Sequence, residues 1–186
     1  MEALLSSTFT VALAEIGDKT QLLTLFLVAR FAQRNQILLG ILIATIVNHG
    51  LSAYLGTWLM DVIPSGYANI LVGVSFILVG LWILIPDKDD DENAGVMRHG
   101  AFVATLVLFF LAEIGDKTQI ATVILAAKYD AFMWVTIGTT LGMLIANVPV
   151  AYTGEWLMKK IPFHWVRWSA CSVFCLLGVL TLTLSR

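Results

Sequence analysis

The sequence predicts an all-α membrane protein with six transmembrane helices, arranged as two inverted three-helix repeats. Three observations carry this reading. The 186 residues are 59% hydrophobic and only 13% charged, with a mean hydropathy of +0.86, a composition of polytopic membrane proteins rather than soluble domains. Apolar stretches of about 20 residues, enough to cross roughly 30 Å of hydrocarbon, follow one another along nearly the whole chain. Finally, Glu15-Ile16-Gly17-Asp18-Lys19-Thr20-Gln21 recurs as Glu113-Ile114-Gly115-Asp116-Lys117-Thr118-Gln119, each time inside an apolar stretch.

Span one, 6–29, has no basic leader or small-residue cleavage site and carries Glu15, Asp18 and Lys19. It is therefore expected as a mature helix and not as a signal peptide. Span two, 37–60, places Asn48 and His49 at membrane depth; span three, 67–85, holds no charge. The acidic segment that follows sets Asp87, Asp89 and Asp91 in the spacing of a calcium loop, but Glu92 stands where such a loop requires glycine. A solvated linker is expected there. Span four, 101–127, carries the second motif, and span five, 132–158, holds Asn147 and a Pro149 expected to bend it. Glu155 is read as interfacial. In span six, 168–184, Cys171 and Cys175 lie one turn apart and read as small apolar packing residues. Trp58, Trp82, Trp156, Trp165 and Trp168 fall at span ends, as an aromatic belt does.

The two motif copies are offset by 98 residues, and the same offset aligns Gly40 with Gly138, Tyr54 with Tyr152, Trp58-Leu59-Met60 with Trp156-Leu157-Met158, and Phe76 with Phe174. The expected units are a first repeat, 1–86, a linker, 87–99, and a second repeat, 100–186. A unit with an odd number of spans enters the membrane upside down when repeated, the architecture of many secondary transporters. Basic residues gather after spans one (Arg30, Arg34), three (Lys88, Arg98) and five (Lys159, Lys160, Arg167). The positive-inside rule then puts those loops in the cytoplasm and both termini outside.

An Asp or Lys at the centre of a membrane helix costs roughly 2.5 to 3.5 kcal/mol, so four carboxylates and two lysines at that depth call for a compensating partner. On continuous helices Glu15 and Asp18 would lie about 60° apart, with Lys19 and Gln21 flanking them in one polar stripe, repeated by Glu113, Asp116, Lys117 and Gln119. Gly17 and Gly115 permit close approach of backbones, or local unwinding that offers carbonyls. The candidate metal ligands are Glu15, Asp18, Glu113, Asp116, Gln21 and Gln119, supported by Lys19, Lys117, Gly17, Gly115, Thr20, Thr118, Asn48 and Asn147. This oxygen-rich set suits Ca²⁺ or Mn²⁺; with no thiolate beside it, copper or zinc fits less well. Ligating oxygens must be deprotonated, so cations and protons compete for them, which is exchange. A purely structural alternative, Glu15 paired with Lys19 and Glu113 with Lys117 one turn away, leaves Asp18 and Asp116 unaccounted for. The lysines either lower the charge of an empty site or hold a carboxylate in its ligating rotamer, and the sequence does not choose.

The doubled Glu-x-Gly-Asp-Lys-Thr, one per half, resembles the small membrane family defined by two E-x-G-D-[KR]-[ST] motifs, linked to manganese and calcium homeostasis and grouped with the lysine-exporter superfamily. Residues 15–20 and 113–118 match that motif at every defined position. The resemblance implies a cation/proton antiporter that exports Mn²⁺ from the cytoplasm in bacterial members and also carries Ca²⁺ in organellar ones. It carries the two Glu and two Asp over as the cation site. Without a long N-terminal extension, the chain is expected in a bacterial inner (plasma) membrane.

Two other classes compete. An intramembrane aspartyl protease also needs two facing aspartates, but its Gly-x-Gly-Asp pattern is not met, since Glu15 and Glu113 occupy the first position, and the lysines have no role in it. A passive channel built on acidic rings sits poorly with mid-membrane lysines and inverted repeats. The expectation is therefore a transporter and not an enzyme, with no cofactor, a divalent cation and protons as substrates, the lipid bilayer as surroundings and no nucleic-acid partner. Whether copies associate as a homo-oligomer is left open.

Overall fold

The computed structural model describes residues 1–85, 96–154, 156 and 162–184. These residues are helical throughout, with no strand among them. The helices are α1 (Glu2–Glu15), α2 (Lys19–Phe31), α3 (Arg34–Val62), α4 (Ser65–Ile83), α5 (Gly100–Glu113), α6 (Lys117–Tyr129), α7 (Phe132–Thr153) and α8 (Phe163–Leu184), with a short 3₁₀ turn, Val96–His99, leading into α5. Most of the acidic linker, Glu155 and the lysine pair at 159–160 lie outside the described residues.

The first departure from expectation concerns spans one and four, which are not continuous. Each breaks within its motif, giving helices of 14 and 13 residues in both halves. At about 1.5 Å per residue each piece is roughly 20 Å long, so α1, α2 and α6 are too short alone for the hydrocarbon core, and α5 reaches a spanning length only together with the 3₁₀ turn before it. The expected polar stripe therefore does not form, and the Glu and Lys of one motif are not a turn apart on a shared helix. Among the described residues, four helices are long and apolar enough to cross a membrane: Arg34–Val62, Val96–Glu113, Phe132–Thr153 and His164–Thr183; Tyr67–Ile83 is a shorter apolar helix. Pro149 lies inside α7, which ends at Thr153 against Gly154 at φ +61°; most of the remainder expected for span five lies outside the described residues.

The two halves share their terminations. α2 closes on Ala32 at φ +53° and α6 on Asp130 at φ +45°, 98 residues apart, each cap donating its N–H to the carbonyl four residues back. Helix contacts also cross between halves: α1 packs on α7, α5 on α3, and α4 on α8. A Cβ on Gly40 would meet the Phe102 carbonyl at 3.0 Å and the Thr105 Cβ at 2.8 Å, while one on Gly138 would meet the Leu4 carbonyl at 2.7 Å and the Ser7 Cβ at 2.9 Å. The same offset relates Leu4 to Phe102 and Ser7 to Thr105. The Phe76 and Phe174 rings meet edge to face at 6.1 Å. Small residues at these crossings let backbones approach, which is how helices associate where lipid supplies no hydrophobic drive between them.

Burial is inverted relative to a soluble protein. Leu5, Leu51, Leu78 and Leu176 are exposed, whereas Glu15, Asp18, Gln21, Asn48, His49, Glu113, Asp116, Lys117 and Asn147 are buried. In water the first set would be hidden and the second displayed; only an apolar surround makes the arrangement favourable. Trp58, Trp156, Trp165 and Trp168 are exposed, as belt residues should be, and Trp82 is half-buried.

Candidate metal centre

The site is built by the two breaks. Ile16 is extended, Gly17 turns at φ +84°, and Asp18 is extended again as the N-cap of α2. The second motif repeats this with Ile114, Gly115 at φ +74° and Asp116 capping α6. Positive φ is open to glycine at little cost, which explains the motif's glycine. Gln21 reaches back to accept from the Gly17 N–H at 2.8 Å, and Gln119 from the Gly115 N–H at 2.7 Å. Asp116 accepts from the Thr118 N–H at 3.2 Å. Asp116 thereby caps α6 with its side chain, and in both motifs the glutamine three residues after the N-cap holds the turn through the N–H of the preceding glycine.

At the breaks, carboxylates from both halves converge. Oxygens of Glu15, Glu113 and Asp116 lie within 4.8 Å of one another, and all three residues are buried. Thr20 donates its hydroxyl to Glu15 Oε2 at 2.7 Å. Thr118 is within hydrogen-bonding reach of both Glu113 Oε2 at 3.2 Å and Asp116 Oδ2 at 3.0 Å. The Oε1 atoms of Glu15 and Glu113 accept no hydrogen bond among the described residues, although both are buried. Two ionised groups 4.8 Å apart repel by about 3.5 kcal/mol at an effective dielectric of about 20. Such a cluster requires counter-charge, from a cation or from protons.

Lys19 supplies part of it, its ammonium lying 3.8 Å from Asp116 Oδ1 and so joining the first motif to the second. Lys117 does something different: it donates to the Ile85 carbonyl at 2.6 Å and lies 5.9 Å from the centre of the Trp82 ring. Nothing in the sequence pattern singles out Ile85 for that contact.

Of the expected ligands, Glu15, Glu113 and Asp116 come together. Asp18 is buried but lies outside the three-residue cluster. The side-chain oxygens of Gln21 and Gln119 are engaged by the glycine N–H groups, and Gln21 also donates to the Ala146 carbonyl at 2.8 Å. In this conformation both glutamines hold the turns rather than line the cluster. Asn147 accepts from Thr24 at 2.8 Å and donates to the Met143 carbonyl, tying α2 to α7; Asn48 donates to the Phe110 carbonyl, tying α3 to α5. These are helix-to-helix hydrogen bonds. His49, by contrast, is buried beside the cluster, with Nε2 3.8 Å from Glu113 Oε2.

Many secondary transporters bind ions at discontinuous helices, and comparison with known proteins places the chain in a family of transporters. The family described as "Divalent cation/proton antiporter GDT1" matches residues 3–91 and 101–185. The chain belongs to the GDT1 family. It is therefore a transporter and not an enzyme, and the divalent cation is its substrate rather than a cofactor. A Vibrio cholerae protein named "Putative manganese exporter" is 48% identical over 182 residues, covering 97% of this chain and 90% of its own. GDT1-like protein sll0615 of Synechocystis is 26% identical over 182 residues, 87% of each chain. GDT1-like protein 4 of Oryza sativa subsp. indica is 28% identical over 186 residues, covering 86% of this chain and 66% of its own. No solved structure matches.

Proposed function

We propose that this GDT1-family member exports Mn²⁺ in exchange for protons through a single site built from Glu15, Glu113 and Asp116, with Asp18 as a fourth ligand. The observation that carries the reading is the oxygen cluster within 4.8 Å, contributed by both motifs and buried. Thr20 and Thr118 orient its carboxylates, and the turns held by Gln21 and Gln119 set their spacing. The choice of Mn²⁺ over Ca²⁺ rests on the name carried by the relative at 48% identity; the oxygen donors suit either ion.

Exchange follows from competition. The cluster is neutralised by a divalent cation or by protons, and each displaces the other. Expelling a divalent ion against a negative interior of about 100 mV costs about 4.6 kcal/mol, twice the roughly 2.3 kcal/mol per charge, and two returning protons offset that electrical term.

The proposed architecture has six spans, with α1–α2 and α5–α6 each crossing the membrane as a broken pair, in two inverted repeats, 1–86 and 100–186. The reciprocal contacts of Gly40 and Gly138 support this, as does the pairing of Phe76 with Phe174. Asp18 would then enter the cluster when the first break takes up the position now held by the second. The proposed location is a bacterial inner membrane with both termini outside. In support, the Arg34 guanidinium lies 5.7 Å from the centre of the Tyr152 ring, so the basic turn after α2 and the end of α7 share one end of the bundle.

The test is antiport in proteoliposomes with a pH-sensitive dye in the lumen, adding Mn²⁺, Ca²⁺, Mg²⁺ and Zn²⁺ separately. Luminal alkalinisation that accompanies Mn²⁺ entry and is lost in Asp18→Asn and in Asp116→Asn is expected. Full transport in both variants would overturn the site, metal entry without proton movement would make the protein a uniporter or channel, and stronger coupling to Ca²⁺ would change the ion.

A further inference from the structure

We propose that His49 is a nitrogen ligand of the transported cation and sets the preference for a transition metal over Ca²⁺ and Mg²⁺. This deepens the preceding reading and rests on it. His49 is fully buried on α3, and neither Nδ1 nor Nε2 has a hydrogen-bond partner among the described residues. An imidazole always carries at least one N–H donor, and buried polar groups are ordinarily satisfied, so a ring with both nitrogens unmatched needs another explanation.

Its repeat counterpart sharpens the point. The 98-residue offset places Asn147 at the position of His49. Asn147 is bonded through both ends of its amide, accepting from Thr24 and donating to the Met143 carbonyl. One half of the molecule therefore uses this position to join helices, and the other leaves an unsatisfied imidazole pointing at a carboxylate. At 3.8 Å, the contact of Nε2 with Glu113 Oε2 is longer than a hydrogen bond. It is still short enough for one ion between them, since two donors at bonds of about 2.0 to 2.2 Å can stand up to roughly 4.4 Å apart.

The chemistry of the donor explains the consequence. Three carboxylates alone hold Ca²⁺, Mg²⁺ and Mn²⁺ by charge and oxygen affinity, with little to tell them apart. Imidazole nitrogen is a poor ligand for Ca²⁺ and Mg²⁺, which take oxygen, and a good one for first-row transition metals. One neutral nitrogen at the edge of an oxygen cluster thus raises affinity for Mn²⁺ without changing the charge that couples to protons.

The experiment is pulsed electron paramagnetic resonance of Mn²⁺ bound to the purified full-length chain in nanodiscs. The spectrum of the natural protein should carry the echo modulation of a directly bonded nitrogen, and His49→Gln should lose it while still binding Mn²⁺. In proteoliposomes the same variant should lose about tenfold or more in kcat/KM for Mn²⁺, with Ca²⁺ competing against transport as well as before or better. Bound Mn²⁺ with no nitrogen coupling in the natural protein would overturn the proposal without any variant. So would coupling that persists in His49→Gln, or an equal loss for Mn²⁺ and Ca²⁺; in those cases the carboxylate site stands. Absence of Mn²⁺ binding altogether would instead remove the underlying reading and this one with it.

Discussion

Gly115→Ala tests whether the break in the second motif is required, because the change isolates one physical quantity. Gly115 sits at φ +74°, and a Cβ built there meets nothing within 4 Å. Its N–H, donated to Gln119 Oε1 at 2.7 Å, survives in alanine. No clash is introduced and no hydrogen bond is removed, so the cost is that of a non-glycine residue at positive φ, about 1 to 2 kcal/mol. That corresponds to a roughly 5- to 30-fold shift away from the broken conformation. Glu113 and Asp116 flank this turn, so the cluster is depopulated by the same factor. Mn²⁺ transport in proteoliposomes should fall accordingly, and the thermal midpoint of the purified protein should drop. Gly115→Asn should recover much of both, since asparagine tolerates positive φ better. If alanine transports as well as glycine at an unchanged midpoint, or if asparagine fails as badly as alanine, backbone strain is not what the glycine relieves.

Other consequences follow from the same geometry. Thr118→Val removes a hydroxyl whose single proton is shared between Glu113 and Asp116 at 3.2 and 3.0 Å, and Thr20→Val one that bonds Glu15 at 2.7 Å; hydrogen bonds to charged groups are worth about 1.5 to 3 kcal/mol. Both should weaken Mn²⁺ binding measured by titration calorimetry, and unchanged binding in both would contradict the assignment. A Cβ on Gly56 would meet Val123 O at well under contact distance and the Ala126 Cβ at 2.9 Å, so Gly56→Ala forces α3 from α6. A loss of about 1 to 3 kcal/mol should appear as a lower thermal midpoint in detergent, whereas an unchanged midpoint would mean the crossing is looser than described. Protons compete with metal for the cluster, so raising the pH should lower the apparent KM for Mn²⁺. A KM for Mn²⁺ that does not change with pH would argue against that competition.

The membrane character, the duplication and the carboxylates were legible because each is an energetic oddity on the surface of the sequence: too much apolar residue for water, too much charge for lipid, and both in duplicate. The helix breaks are only half-legible: Gly17 and Gly115 admit local unwinding, but the sequence does not separate that from a continuous helix. A 3.6-residue period was extended through Glu15 to Gln21, although Asp18-x-x-Gln21 just before an apolar run is itself a helix-start signature, and Gly17 ahead of it is the residue that permits a turn. Hydropathy averaged over a span conceals a break of two or three residues. The cap role of Gln21 and Gln119 follows from that same missed signature. Convergence of Glu15 with Glu113 and Asp116 lay beyond any local rule, because it depends on how α1 and α5 cross α7 and α3. The positions of Gly40 and Gly138 hinted at those crossings without fixing their depth.

Two motifs identical in seven consecutive residues nevertheless meet different surroundings, and the difference has a source in the chain. Lys117 lies against the Trp82 ring and the Ile85 carbonyl; the 98-residue offset puts Leu180 where Trp82 would have to be for Lys19 to make the same ring contact. A leucine offers no aromatic face to a cation. Lys19 instead reaches Asp116 across the pseudo-symmetric interface, where its charge offsets part of the carboxylate repulsion. Asp116 sits in the three-residue cluster, and Asp18 is buried outside it. Duplication supplies two equivalent ways of bringing the carboxylates together, and residues such as Trp82 and His49, unmatched in the other half, make the two inequivalent in energy.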